Sequence, residues 1–144
     1  MATKQEEPGN RFSAIVIDHA ANPRNVGCMD YADTHASVLG SCGDSIEMWL
    51  KSRDGIVEEV KFWTDGCGPT IACGSIATEL AKDKTIGEAL AISAEVIAKS
   101  LGGLPDDHVH CAGLASLTLK KVLLEYLKLE KEPWKKAYNK AMGK

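Results

Sequence analysis

Between Ser45 and Thr64 the side chains alternate, and after Cys67 they do not. Ile46, Met48 and Leu50 interleave with Ser45, Glu47, Trp49 and Lys51, and Val60 and Phe62 interleave with Glu59, Lys61 and Trp63. A period of two is the mark of a strand with one buried face. The stretch "RDGI" between the two runs carries Asp54-Gly55, a hairpin signal. The faces then decide the register. A two-residue loop would set Leu50 opposite Glu59, an apolar residue against a charge. A three-residue loop sets Leu50 against Val60, Met48 against Phe62 and Lys51 against Glu59. Paired residues share a face, so the three-residue loop is expected, with Gly55 in its left-handed position.

The other elements fall around this hairpin. "THASVLGSC" reads as a first strand. "RFSAIVIDHAA" reads as a short helix stopped by Asn22-Pro23, because the residue before proline avoids helix. "NPRNVG" is then a turn-rich connection. In "GPTIACGSIATELAKDK" Ala72, Ile76 and Leu80 fall at helical spacing, and Pro69 suits the first turn. "TIGEALAI" and "SAEVIAKSLGG" each open on a hydroxyl cap, and the second closes on glycine. "CAGLASLTLKKVLLEYLKLEK" predicts the longest helix, with Leu119, Val122, Leu123 and Tyr126 on its apolar face and Pro133 at its end. The order predicts an α+β domain: an N-terminal helix, a small three-stranded antiparallel sheet with helices packed on one face, and a long C-terminal helix.

A chain of 144 residues, 44% hydrophobic and 26% charged, is one domain's worth of chain and can bury a core. A formal net charge of -3 leaves no basic footprint for nucleic acid, and the basic end "WKKAYNKAMGK" reads as a solvated tail. "MATKQEEPGN" has neither an apolar signal region nor an Arg-rich amphipathic pattern, and no run is long enough to span a bilayer, so a cytoplasmic protein with no membrane partner is expected.

The five cysteines are an odd number in a chain without a secretion signal, which argues against a disulfide framework and toward metal or sulfur chemistry. Cys42 and Asp44 flank Gly43. In extended backbone, residues two apart point to one side, so a soft and a hard ligand would face one ion, with glycine between them leaving room for it. Cys67 in "TDGCGPT" and Cys111 in "HVHCAGL" fall at predicted helix N-termini, where N–H groups and the helix dipole favour a thiolate or an anionic cluster. His110, beside Cys111, is a candidate fourth ligand or proton carrier. Cys28 and Cys73 are expected to be packing residues, and His19 and His35 to have ordinary surface or core roles.

These residues resemble those of the iron–sulfur cluster assembly scaffolds, the IscU family and the N-terminal domain of NifU. The matching stretches are "VIDHAANPRNVG", "CGD" at 42–44, "GCGPTIACGS" from 66 and "LPDDHVHC" ending at 111, in the family's order and spacing. The resemblance covers about residues 11–128, between a polar N-terminal tail and a basic C-terminal tail. It implies cluster-binding residues at Cys42, Asp44, Cys67, His110 and Cys111. Family members served by a dedicated Hsp70 chaperone carry Leu-Pro-Pro-Val-Lys where this chain has Leu104-Pro105-Asp106-Asp107-His108, which speaks against that chaperone contact. Cys73 stands where the family has a small hydroxyl residue. A SufU-like zinc branch has a long insertion before the third cysteine and a basic residue at the position of His110, and this chain has neither.

A storage cluster would take four cysteines and hold on, whereas a hard carboxylate keeps one corner of a soft site weak. The resemblance therefore implies a scaffold, not a turnover enzyme. A cysteine desulfurase would deliver sulfur to Cys111, or failing that to Cys67. Iron and electrons would enter, from a frataxin-like or ferredoxin donor, and a labile [2Fe-2S] cluster would pass to apo iron–sulfur proteins. The rival reading is a zinc-binding sulfur acceptor, because Cys42, Asp44, Cys67 and Cys111 also make a tetrahedral zinc site.

Overall fold

The computed structural model describes residues 11–41, 43–132, 134, 138, 141 and 142. Helix α1, Ala14–Ala21, leads into three strands, β1 (Thr34–Leu39), β2 (Ser45–Arg53) and β3 (Ile56–Thr64). Four helices follow: α2 (Gly68–Ala81), α3 (Ile86–Leu90), α4 (Ala94–Ser100) and α5 (Val109–Lys131), the last preceded by a 3-10 turn over Asp106–His108. The strands form one antiparallel sheet in the order β1-β2-β3. Its inner face packs on α2 and α5, while α1 lies on α2 and α4 on α5. This is the α+β arrangement the periodicities predict.

The hairpin keeps the predicted pairs Met48–Phe62, Leu50–Val60 and Lys51–Glu59, but not the predicted loop. Arg53 pairs with Ile56 across a two-residue turn, with Asp54 at φ 54° and Gly55 at φ 79°. Both turn residues are left-handed, the geometry that matches the twist of a hairpin. The register then slips between Lys51 and Ser52, so that Glu58 is the extra residue of a bulge. The tight turn and the matched faces are both satisfied because the bulge absorbs the odd residue.

Ile46, Met48, Leu50, Val60 and Phe62 are buried on the helix side, each contributing on the order of 1.5–3 kcal/mol through apolar burial. They meet α2, whose inner face is built of Ala72, Cys73, Gly74, Ala77 and Ala81. The contact is close. A Cβ on Gly74 would lie 2.6 Å from the Phe62 ring. On α5 the predicted face is the observed one, with Leu119, Val122, Leu123 and Tyr126 all buried.

The "NPRNVG" connection does more than turn. Gly27 N–H donates to the Phe62 carbonyl and Phe62 N–H to the Asn25 carbonyl, both at 2.9 Å, so it runs alongside β3 and covers that edge of the sheet. Asn25 takes the left-handed backbone this needs, and its amide donates to Thr78 and Glu79 on α2. The two expected caps are present: Thr85 and Ser93 each accept from the third N–H of their helix, and Thr85 completes a capping box with Glu88; Ser13 caps α1 in the same way. Pro133 lies outside the described residues. Among the described residues no helix is long and apolar enough to cross a membrane.

Candidate functional site

Cys67 is the N-cap of α2, in extended backbone, with no side-chain cap bond of its own. The chain can turn into the helix here because Pro69 supplies a φ already suited to the first turn. Cys67 is exposed. Cys111 is the third residue of α5 and is only 1% exposed, and the 3-10 turn before it delivers the chain into the helix. Both cysteines therefore sit in the first turn or at the cap of a helix, where unpaired N–H groups favour anions.

Asp44 reaches this place from the end of a tight loop. Gly43 N–H donates to the Gly40 carbonyl at 3.1 Å, and Gly40 N–H donates to the Asp44 carbonyl at 2.6 Å. Gly43 has φ 95°, so the backbone here is a left-handed turn and not the extended segment that would aim positions 42 and 44 to one side. Glycine is needed at 43 for its φ. Cys42 lies outside the described residues.

The three described donors meet at a side chain the sequence reading passed over. Thr70, fully buried in the first turn of α2, donates to Asp44 Oδ2 at 3.1 Å. Its Oγ1 also lies 3.5 Å from Cys111 Sγ and 3.8 Å from Cys67 Sγ. Gly66 makes room for the pairing: a Cβ there would lie 2.8 Å from both Asp44 Oδ2 and the Thr70 side chain. The one signal in the sequence was a hydroxyl three residues after a glycine-flanked cysteine at a helix start, which also fits an ordinary cap. Among the described residues, no three His, Cys, Asp or Glu side chains close on one another to metal-ligand distance. They surround the threonine hydroxyl instead.

His110 is exposed, with Nε2 3.8 Å from Cys111 Sγ. Its ring stacks at 6.2 Å on His108, which meets Phe12 edge-on at 5.2 Å. Asp107 is tied to Arg11 at 2.9 Å, and that guanidinium holds its exposed carboxyl below the usual carboxylate range. Residues Asp106–His108 thus form a 3-10 turn strapped to residues 11 and 12, not an extended segment.

Cys73 is a packing residue, as expected. It is fully buried, and burial first, then the neighbouring Cys111 and Cys67, push its thiol far above the ordinary range. Cys28 is not a packing residue. It is exposed and lines a cleft of about 680 Å³ with His35, Glu47 and Trp49, because the 25–27 segment is spent on the edge of β3 and turns position 28 outward. His35 pairs with Glu47 on the open face of the sheet. His19 is buried, with Nδ1 2.7 Å from the Ser75 hydroxyl, which also accepts from Arg24 N–H at 2.9 Å, so it joins α1 to α2.

Residues 11–133 match the family model described as the NifU-like N terminal domain. The chain belongs to the NifU N-terminal domain family. Among its relatives, an iron–sulfur cluster assembly scaffold protein IscU of Archaeoglobus fulgidus is 43% identical over 118 residues, which are 81% of this chain and 77% of that protein. The IscU of Escherichia coli K12 is 41% identical over 120 residues, 80% of this chain and 93% of its own. Among solved structures, a SUF-system scaffold from Fervidobacterium islandicum superposes with a TM-score of 0.62 at 23% identity, covering 78% of this chain and 96% of that one. At that identity the likeness speaks for the fold alone, and the α+β architecture of this NifU-type chain is the one it shares.

Proposed function

We propose that this chain, acting as one domain over residues 1–144, is a scaffold on which a labile [2Fe-2S] cluster is assembled and handed on, and not a turnover catalyst. The observation that carries the reading is the convergence of two thiols and one carboxylate, Cys67, Cys111 and Asp44, from three separate segments around one buried hydroxyl. The donor chemistry fits the cargo. Thiolates suit iron and sulfide, and a lone carboxylate among them makes a weak corner from which a cluster can leave. Cys42 would complete the ring, and His110, 3.8 Å from Cys111, would exchange with Asp44 as fourth ligand or carry a proton. That the relatives are named as cluster assembly scaffolds supports the same reading.

Sulfur would come from a cysteine desulfurase. A thiolate on this chain attacks the outer sulfur of the desulfurase persulfide, forms the new S–S bond and expels the desulfurase thiolate. Cys111 is the proposed acceptor and Cys67 the second choice. In this conformation Cys67 is the open thiol and Cys111 is buried, so a persulfide on Cys111 requires that thiol to be uncovered first. Ferredoxin- or frataxin-like partners would supply electrons and iron, and apo iron–sulfur proteins in the cytoplasm would receive the product. With its strapped, acidic turn at 106–108, the 104–108 stretch is a poor segment for an Hsp70 groove, since the turn would have to uncoil and desolvate Asp106 and Asp107.

Anaerobic reconstitution with iron and sulfide tests the reading. A visible chromophore at two irons per chain is expected. Tight zinc binding with no chromophore would establish the zinc-binding sulfur acceptor in its place.

A further inference from the structure

Thr70 has one hydroxyl proton and three acceptors within 3.8 Å. It can serve one at a time. The carboxylate is nearest, and a bond to an ionised acceptor is the strongest of the three. Among the described residues that bond is the Asp44 carboxylate's sole hydrogen bond. Thr70 is fully buried, so water does not compete for its hydroxyl. Nor is the hydroxyl spent on capping α2, whose N-cap is Cys67. Gly66 adds an independent observation, since a Cβ there would lie 2.8 Å from both Asp44 Oδ2 and the Thr70 side chain, so one of them would have to shift.

We propose that Thr70 is a positioning residue: its hydroxyl holds Asp44 in the ligand ring, and so sets how hard the fourth corner of the site is. The proposal names a role for a residue outside the ligand set, and it rests on the scaffold reading only where a cluster is concerned. Its consequence has opposite signs for two cargoes. A single divalent ion of intermediate hardness gains from a well-placed carboxylate, so losing the hydroxyl should weaken its binding. A sulfide-bridged cluster is made labile by the same carboxylate, so losing the hydroxyl should slow its release. General damage to the site would weaken both.

The experiment uses the full chain, with Co²⁺ alone as the first probe. Thr70→Val keeps the branched shape and removes the hydroxyl. Its Co²⁺ affinity, measured by competition with a chelator, should fall about tenfold, as for loss of a hydrogen bond that orients a ligand. The thiolate-to-cobalt charge-transfer band should keep its intensity, because the thiolates are still bound. Thr70→Ser should restore the affinity. In an Asp44→Ala background Thr70→Val should add nothing, since the effect runs through Asp44. If Thr70→Val does not fold, Thr70→Ala replaces it.

With reconstituted cluster, transfer to a chelator should be slower for Thr70→Val than for the parent. Unchanged cobalt affinity, a weakened charge-transfer band, or an equal loss in the Asp44→Ala background would each overturn the role. Failure of the parent to form any cluster would instead overturn the scaffold reading and leave the cobalt result standing.

Discussion

Cys67 and Cys73 stand on the same helix, one at its cap and one in its middle, and only the first meets water. The difference lies in what surrounds them. The middle of α2 is Ala72, Cys73, Gly74 and Ala77 pressed against Phe62, close enough that Gly74 has no room for a methyl group. There a thiol is volume, and burial keeps it protonated. The end of α2 is Gly66, Cys67 and Thr70 facing Asp44 and Cys111, with helix N–H groups unpaired nearby. There the same kind of thiol is the proposed ligand. The residue type does not decide which thiol is open to a ligand; its place relative to the helix end does.

The largest expected effect separates the two ends of the helix. Cys67→Ser and Cys111→Ser should each abolish stable cluster retention, read as iron and sulfide bound after gel filtration, while Cys73→Ala and Cys28→Ser keep full occupancy. A fully loaded Cys111→Ser protein would remove Cys111 from the ligand set. Loss of the cluster in Cys73→Ala would erase the contrast between the cap and the middle of α2.

Next comes the reverse test. Gly74→Ala should destabilise the fold by about 1–3 kcal/mol through overpacking against Phe62, measured by urea unfolding, with Co²⁺ affinity at the other end of the helix little changed. A variant as stable as the parent would mean that the ring yields more readily than the close contact implies.

The smallest effect is a pH dependence from the α1–α2 joint. Burial, and then the Arg24 charge, lower the His19 pKa, with Asp18 and Glu79 offsetting only part of this. The unfolded chain therefore takes up the proton at a higher pH than the folded one does. Stability from this residue is fully present above the unfolded value of about 6.5 and declines as the pH falls below it. The decline between pH 7 and 5 should be shallower in His19→Gln. Equal slopes would show that His19 is not the source.

Much of this was legible in the residues. The alternation over 45–64 determined which strand faces meet, because a slip of one residue would bury Glu59. The caps of α3 and α4 could be read from single hydroxyls. What could not be read depended on contacts between distant segments. The bulge at Glu58 exists because turn geometry and face matching ask for different loop lengths. Cys28 points outward because residues 25–27 are hydrogen-bonded to β3, a pairing that no local pattern announces. Gly43 carries a left-handed turn where extended chain was expected. Thr70 escaped notice because its meaning lies in Asp44 and Cys111, 26 and 41 residues away.

Asp44 is the proposed weak corner of the site. The direct measurement is the rate at which a reconstituted cluster passes from Asp44→Ala protein to a chelator or an apo-acceptor, set against the parent. Release should slow by about tenfold, a barrier change of about 1.4 kcal/mol. Release from Asp44→Ala as fast as from the parent, or faster, would contradict it.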